Sequence, residues 1–173
     1  MEKRGEAVQT LTSQEGIEIV DVPVSQRTDL KWILEESFEG WYLRHSTGML
    51  LKIETVRAAM SQGNPVGLVM LKKLENGAGY VYYIAVAKSQ RKKGIGKLLL
   101  EDALRGFKAE GLKEIFASVE SDNEPSEALF ASEGFTEISF REVSRKNGKL
   151  RALNMYREML VVPGEILLHK LIN

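Results

Sequence analysis

The sequence of 173 residues contains no cysteine. This absence excludes disulfide bonds, thiolate metal ligands and a cysteine nucleophile, and it fits the reducing cytoplasm, where we expect the protein to act. Histidine is scarce as well, because only His45 and His169 occur. They lie far apart and neither has a second histidine at helical spacing, so we expect no metal site.

Long apolar runs and an excess of charge of one sign are also missing. No run approaches the roughly 20 residues that span a bilayer, so we expect no membrane partner. Basic and acidic side chains number 24 each, which leaves no net field to attract nucleic acid, and we expect none as a partner. Hydrophobic residues at 43% and charged residues at 28% are typical of one globular domain.

The order of elements predicts a mixed α/β domain. Residues 1–15 lack apolar periodicity and are interpreted as a flexible lead-in. The domain is expected to cover residues 16–160. The tail, residues 161–173, carries five aliphatic side chains after Pro163, and we interpret it as a short helix packed on the domain or on a partner.

Hydrophobic patterns and turn signals locate the elements within this domain. Thr28 and Asp29 predict the start of a helix and Gly40 its end. The stretch 41–53 is ambiguous between a loop and a short second helix. The other predicted elements are a strand from 17, a hairpin over 56–71, a strand over 79–86, helices over 95–111 and 125–134, a strand over 115–119, and a closing antiparallel pair, 135–140 with 150–159.

A basic, glycine-bearing loop between the strand at 79–86 and the next helix has the strongest chemical pattern. The sequence from Arg91 to Lys97 is RKKGIGK. Backbone N–H groups at a helix start have no partners in the helix and favour negative charge. Gly94 and Gly96 remove side chains from those amides, and four basic residues surround them, so the pattern predicts a phosphate site.

Other anion loops have different spacing. A Walker loop requires serine or threonine after Gly-Lys, whereas Leu98 follows Lys97 here. A dinucleotide fingerprint requires a third glycine, and Leu99 occupies that position. Taken alone, this loop is also compatible with a simpler interpretation, a solvated basic turn that caps a helix.

Two motifs in sequence resemble those of the GNAT acetyltransferases. The segment from Arg91 to Gly96 matches R-x-x-G-x-G, after a strand and at a helix start. The second family motif is N-x-x-A-x-x-x-Y-x-x-x-G-F, and it is similar to the residues Asn123, Ser126, Phe130 and Gly134-Phe135. The resemblance covers about residues 17–160 in element order and is specific from 80 to 135.

The resemblance implies a fold and a cosubstrate. The fold is the GNAT fold, a mixed and mostly antiparallel sheet that splays between its fourth and fifth strands, with helices on both faces. The cosubstrate is acetyl-coenzyme A, whose pantetheine arm pairs with the fourth strand. Val86 would also donate its N–H to the thioester carbonyl. The implied cofactor residues are Ile84, Ala85, Val86, Arg91, Lys92, Lys93, Gly94, Ile95, Gly96, Lys97, Asn123 and Phe130.

The resemblance also suggests residues for proton transfer. Tyr80 and Tyr82 occupy fourth-strand positions that in several family members carry the general base or a residue that holds a water. Their spacing puts them on one side of the strand. Both are equally readable as core aromatics. Glu120 is the carboxylate we place nearest the cleft, although a solvated edge residue is the alternative. Phe130 replaces the family's tyrosine, so the acid that protonates the thiolate is missing there.

We therefore predict an N-acetyltransferase, in which an amine attacks acetyl-coenzyme A directly in a ternary complex. The alternative is a weakly catalytic GNAT-like module that senses acetyl-coenzyme A or binds a partner. The acceptor is expected to be an amine-bearing small molecule, peptide or protein. Trp41 and Tyr42 are candidates for the acceptor wall, with core packing as the alternative, and a homodimer is left open.

Overall fold

A seven-stranded sheet is the frame of the computed structural model, which describes residues 16–172. The spatial order of its strands is β1-β2-β3-β4-β5-β7-β6. The strands are β1 (Ile17–Asp21), β2 (Thr55–Ser61), β3 (Asn64–Lys73), β4 (Gly79–Val86), β5 (Glu114–Glu120), β6 (Thr136–Glu137) and β7 (Glu165–Leu171).

Helices cover both faces of this sheet, as the resemblance implied. Helices α3 and α4 pack on one face, and α1, α2, α5 and α6 pack on the other. The helices are α1 (Lys31–Ser37), α2 (Gly40–Leu50), α3 (Ile95–Ala109), α4 (Glu124–Ser132), α5 (Phe140–Asn147) and α6 (Lys149–Met159), with 3-10 turns at Val24–Leu30 and Lys88–Gln90.

The splay between β4 and β5 is confirmed. The two strands are parallel and pair only from Gly79 opposite Ile115 to Val81 opposite Ala117. Beyond Val81 both strands continue, to Val86 and Glu120, without pairing to each other. Their carboxyl-terminal halves therefore separate and leave a gap in the middle of the sheet.

A β-bulge lies in β4 where this separation begins. Met70 of β3 is opposite Tyr83, whereas the next residue, Leu71, is opposite Val81, so Tyr82 is the extra residue. A bulge interrupts the alternation of side chains along a strand. Tyr82 and Tyr83 consequently both pack with the cluster beneath α1 and α2, whereas regular alternation would direct them to opposite faces.

The predicted closing pair of strands is wrong. Helices α5 and α6 occupy most of that region, and only Thr136–Glu137 is a strand. A capping box starts α5, because Ser139 and Glu142 satisfy each other's backbone N–H groups. Gly148, at φ 83°, separates the two helices. The buried residues of α6, Ala152, Met155 and Met159, recur at helical spacing.

The predicted helix in the tail is also wrong. Residues Glu165–Leu171 form β7, which inserts between β5 and β6 and is antiparallel to both. Its side chains alternate, since Leu167 packs with the cluster beneath α5 and α6 and Leu168 packs on the opposite face. A strand buries both faces of this apolar run, whereas a helix would bury one.

Two smaller corrections concern the amino-terminal part. Gly40 begins α2, and α1 already ends at Ser37, so the ambiguous stretch after Gly40 is mainly helical. The lead-in predicted over residues 1–15 lies outside the described residues.

Candidate active site

The gap between β4 and β5 opens into a cleft of about 560 Å³. One end is bounded by the loop that begins α3, and the other end by α2 and the start of β7. Helix α4 contributes one wall, including Phe130. The cleft therefore brings the predicted phosphate loop and the predicted acceptor wall into one continuous space.

Backbone groups of β4 point into this gap. Ala87 donates its N–H to Val66 of β3 at 3.0 Å, and hydrogen-bonded pairs alternate with non-bonded ones along an antiparallel ladder. Val86 and Ile84, opposite Gly67 and Val69, occupy the non-bonded positions. Their N–H groups are therefore directed away from β3 and towards the gap, whereas those of Ala85 are directed towards β3.

The loop before α3 has the backbone shape of an anion cradle. Lys92 (φ 60°) and Gly94 (φ 75°) both adopt the left-handed conformation, and Gly94 caps the helix that begins at Ile95. A left-handed residue at this point turns successive amides towards one side. For Gly94 the missing side chain makes the conformation inexpensive.

Gly96 has no packing requirement of its own. A Cβ added there would lie 3.5 Å from Leu129 and 3.9 Å from Val86, which are ordinary van der Waals contacts. The protein itself would therefore accept a small side chain at this position. The open space in front of Gly96 belongs to the cleft.

The basic side chains of the loop have different partners. Arg91 donates to the carbonyl oxygen of Val86 at 3.0 Å and to the carbonyl of Glu36 at 3.2 Å, so it ties β4 to the end of α1. Lys97 Nζ lies 3.6 Å from Glu133 Oε1 and forms an ion pair with it. The side chain of Lys92 is exposed and lines the cleft.

Asn123 and Phe130, from the second motif, both line the cleft. The side chain of Asn123 accepts a hydrogen bond from the N–H of Ser126 at 3.2 Å, so it caps α4. Phe130 is 5% exposed and packs edge-on against Phe135, with 5.1 Å between ring centroids. The side-chain oxygen of Asn123 is therefore engaged as the amino-terminal cap of α4.

Tyr80, Tyr82 and Glu120 all lie in the cleft wall. Tyr80 and Tyr82 share one side of β4 and are in edge contact, as their spacing predicted. The Tyr80 hydroxyl is 2.8 Å from Ser118 Oγ, and burial raises its pKa strongly. It therefore stays protonated at neutral pH. Glu120 is exposed at the rim.

Three further cleft residues have no motif around them in the sequence. His45 Nδ1 lies 2.9 Å from the Tyr83 hydroxyl, and the Tyr42 hydroxyl donates to Glu165 at 3.0 Å. The two members of the first pair are 38 positions apart in the sequence, and those of the second pair are 123 positions apart. Sequence reasoning considered His45 only as a metal ligand and passed over Tyr83 and Glu165, because no local spacing connects them.

The end of the cleft at α2 and β7 is aromatic and acidic. Glu165 is opposite Glu120 in the register of β5 and β7, which directs both side chains to the same side of the sheet. Burial, then Glu165, raises the pKa of Tyr42, and burial raises those of Tyr82 and Tyr83. The tyrosines are therefore neutral hydrogen-bonding groups, and the two carboxylates supply the charge.

Within residues 16–172, no group of three or more histidine and acidic side chains is placed to hold a metal ion. None of the helices in the same part of the chain is long and apolar enough to cross a membrane.

Comparison with known proteins gives a family match and short matches to curated relatives. The model of the acetyltransferase (GNAT) family matches residues 21–135. Mycothiol acetyltransferases from Nocardioides sp. and Catenulispora acidiphila are each 36% identical, over 58 and 61 residues. These segments are 34% and 35% of this chain, and this chain matches only about a fifth of the length of either relative.

Solved structures share the fold along nearly the whole chain. An IAA acetyltransferase from Bacillus cereus superposes with a TM-score of 0.68 at 21% identity, over 90% of this chain and 99% of its own. The PaiA N-acetyltransferase from Thermoplasma acidophilum, solved in complex with coenzyme A, gives 0.69 at 17% identity, over 90% and 99%. At these identities the likeness is one of fold.

Proposed function

Because the chain belongs to the acetyltransferase (GNAT) family, we propose that it transfers the acetyl group of acetyl-coenzyme A to a primary amine. The acceptor nitrogen attacks the thioester directly, in a ternary complex of protein, cosubstrate and acceptor. The carrying observation is that one cleft joins a basic glycine loop at one end to an aromatic and acidic wall at the other.

Acetyl-coenzyme A suits the loop end and the gap. The pyrophosphate binds the amides between Arg91 and Lys97, where two left-handed residues precede the start of α3. The pantetheine arm lies in the gap, where its amides pair with the backbone of Ile84 and Val86. Val86 then donates its N–H to the thioester oxygen, which gains negative charge as the amine attacks.

A cationic amine suits the other end. An ammonium ion is drawn to Glu120 and Glu165 across a wall of aromatic rings, which also favours cations. The acceptor is a small molecule, a peptide or a protein that presents such an amine. The cysteine-free composition supports action in the cytoplasm.

A second candidate is a module that binds acetyl-coenzyme A with little turnover. It is favoured by Phe130, whose ring lines the cleft without a hydroxyl that could protonate the thiolate. Acetyl transfer does not require such an acid, because the thiol of coenzyme A is acidic enough to leave as the anion. We therefore keep the acetyltransferase as the first proposal.

Release of coenzyme A thiol in the presence of a panel of amines tests the proposal. The panel contains polyamines, aminoglycosides, amino acids and peptides with free amino termini, each incubated with acetyl-coenzyme A. We expect release to depend on at least one acceptor and to yield the N-acetyl product by mass spectrometry. Micromolar cosubstrate binding without acceptor-dependent release would favour the binding module.

A further inference from the structure

Amide formation leaves a proton that the residues discussed so far do not take up. An ammonium ion has a pKa near 10 and must lose a proton before its nitrogen attacks. Burial raises the pKa values of Tyr80, Tyr82 and Tyr83, so none of these hydroxyls becomes a base near neutral pH. Val86 contributes only its backbone. The proton acceptor has to be another group in the cleft.

His45 is the one imidazole that lines the cleft among the described residues. Its ring is held on both sides, stacked on Trp41 with centroids 4.8 Å apart and an interplanar angle of 8°, and on Tyr82 at 5.8 Å and 19°. The Tyr83 hydroxyl, 2.9 Å from Nδ1, fixes the rotation of the ring. The hydrogen bond to Tyr83 therefore engages Nδ1, and Nε2 is the ring nitrogen left to exchange a proton with the acceptor.

The surroundings keep this imidazole neutral. Burial lowers the pKa of His45, and the carboxylate of Glu165 on β7 acts in the opposite direction with a smaller effect. Tyr82 and Tyr83 of β4 are uncharged at neutral pH. Ser37 and Phe38, which line the cleft beside α1, do not titrate. A neutral imidazole has the lone pair that a proton acceptor requires.

The two carboxylates of the cleft are less suited to the same task. Both oxygens of Glu165 are engaged, one by the Tyr42 hydroxyl at 3.0 Å and the other by the N–H of Val162 at 3.1 Å. Glu120 is exposed at the rim. Their geometry suits attraction of the ammonium ion, and the proton passes to another group.

We propose that His45 is the general base of the acetyl transfer, with Tyr83 as the residue that positions its ring. Nδ1–H donates to the Tyr83 oxygen, and Nε2 takes a proton from the acceptor ammonium. The freed nitrogen forms a bond to the thioester carbon, the carbon–sulfur bond breaks, and coenzyme A leaves as the thiolate, while water takes the second proton that the nitrogen loses as it becomes an amide. The imidazolium then releases its proton to water. This assignment rests on the proposed function.

The pH dependence of kcat/KM, measured from pH 5.5 to 9.5 on the best acceptor, tests the assignment. In the wild-type protein we expect an acid limb from the protonation of His45. His45→Gln should remove that limb and lower the rate at pH 7 by about 10²-fold or more, the usual contribution of a general base. Tyr83→Phe should keep the limb but shift its midpoint, because only the partner of Nδ1 is lost.

Two further variants separate proton transfer from packing. His45→Ala leaves a slot between Trp41 and Tyr82, and added imidazole should restore part of the rate in proportion to its concentration. His169→Gln is the matched control, because His169 lies outside the cleft lining and packs at a tilt of 40° against Phe116. Its acid limb should equal that of the wild type.

A wild-type acid limb in His45→Gln, or no rescue of His45→Ala by imidazole, would overturn the assignment while the acetyl transfer itself stands. If the wild-type protein acetylates no amine while it binds acetyl-coenzyme A, the proposed function fails first. Calorimetric affinity for acetyl-coenzyme A, unchanged in all variants, confirms that each is folded.

Discussion

The Tyr80 hydroxyl lies 2.8 Å from Ser118 Oγ, one residue beyond the last paired position of β5 with β4. This hydrogen bond joins the two strands at the point where they begin to separate. Tyr80 is 2% exposed, so the bond is shielded from water. It therefore braces the base of the gap in which we place the thioester.

Removal of this hydroxyl should affect stability. Tyr80→Phe leaves Ser118 without its partner, and we expect the free energy of unfolding in urea to fall by about 1–3 kcal/mol. Tyr82→Phe, on a half-buried ring of the same strand, is the matched control and should change it much less. An unchanged value in Tyr80→Phe would mean that a water replaces the brace at no cost.

The same two variants test the expectation, implied by the resemblance, that Tyr80 and Tyr82 hold a water in the cleft. The double variant, Tyr80→Phe with Tyr82→Phe, should lower turnover and leave the affinity for acetyl-coenzyme A unchanged, because neither hydroxyl contacts the phosphate loop. Equal turnover in the double variant, measured by thiol release, would remove both tyrosines from the proton route.

Substitution in the glycine loop should weaken cosubstrate binding. Gly96→Glu places a negative side chain in the space where the amides meet a pyrophosphate, while the protein has room for the Cβ. We expect micromolar affinity in the wild type and a loss of at least about tenfold in the variant by calorimetry, about 1.4 kcal/mol. Gly106→Glu adds the same charge to α3 at a position with open space around it and should bind normally. Equal affinity in Gly96→Glu would contradict the phosphate site.

Asn123 allows the cap and the cofactor contact to be separated. Asn123→Ala should lower the free energy of unfolding by about 1 kcal/mol, and Asn123→Ser, which retains a cap, should recover most of it. If the side chain also contacts pantetheine, both variants lose affinity for acetyl-coenzyme A. Loss in the alanine variant alone would mean that the residue acts through the cap.

Phe130→Tyr restores the hydroxyl that the resemblance leads one to expect. The ring already lines the cleft, so we expect turnover on a good acceptor to rise, by up to about 10²-fold if departure of the thiolate limits the rate. Phe135→Tyr is the control, since Phe135 packs on Phe130 outside the cleft lining. Steady-state rates from pH 6 to 9 measure both. A large loss of activity in Phe130→Tyr would contradict the position of this ring beside the sulfur.

The stability of the fold should depend on pH through its two histidines. Burial lowers the pKa values of both His45 and His169, so the unfolded chain binds more protons than the folded one below about pH 6.5. The free energy of unfolding should therefore fall as the pH drops from 7 to 5. His169→Gln should flatten this slope in urea titrations. A slope that is unchanged in His45→Gln, His169→Gln would contradict the prediction.

Local patterns in the sequence were sufficient to predict the part of the cleft where we propose that the pyrophosphate binds. One loop and the helix that follows it contain Gly94, Gly96 and the basic residues around them. Residues that are close in the sequence are therefore also close in the structure. The same holds for Asn123 and Phe130, the cap and a residue of α4, which lie about two helical turns apart. Periodicity and turn signals located the first five strands along the chain for the same reason.

Tertiary packing alone decided the part of the cleft where we propose that the acceptor binds. The bulge at Tyr82 depends on the register of β3 against β4, and without it Tyr83 would turn away from His45. The tail is a strand because the edge of β5 that faces away from β4 offers hydrogen bonds to its backbone, and both of its faces become buried there. Glu165 reached Tyr42, 123 residues earlier, only through that insertion. Pairing across such distances depends on which surfaces remain to be covered once the sheet has formed, and no short stretch of sequence contains that information.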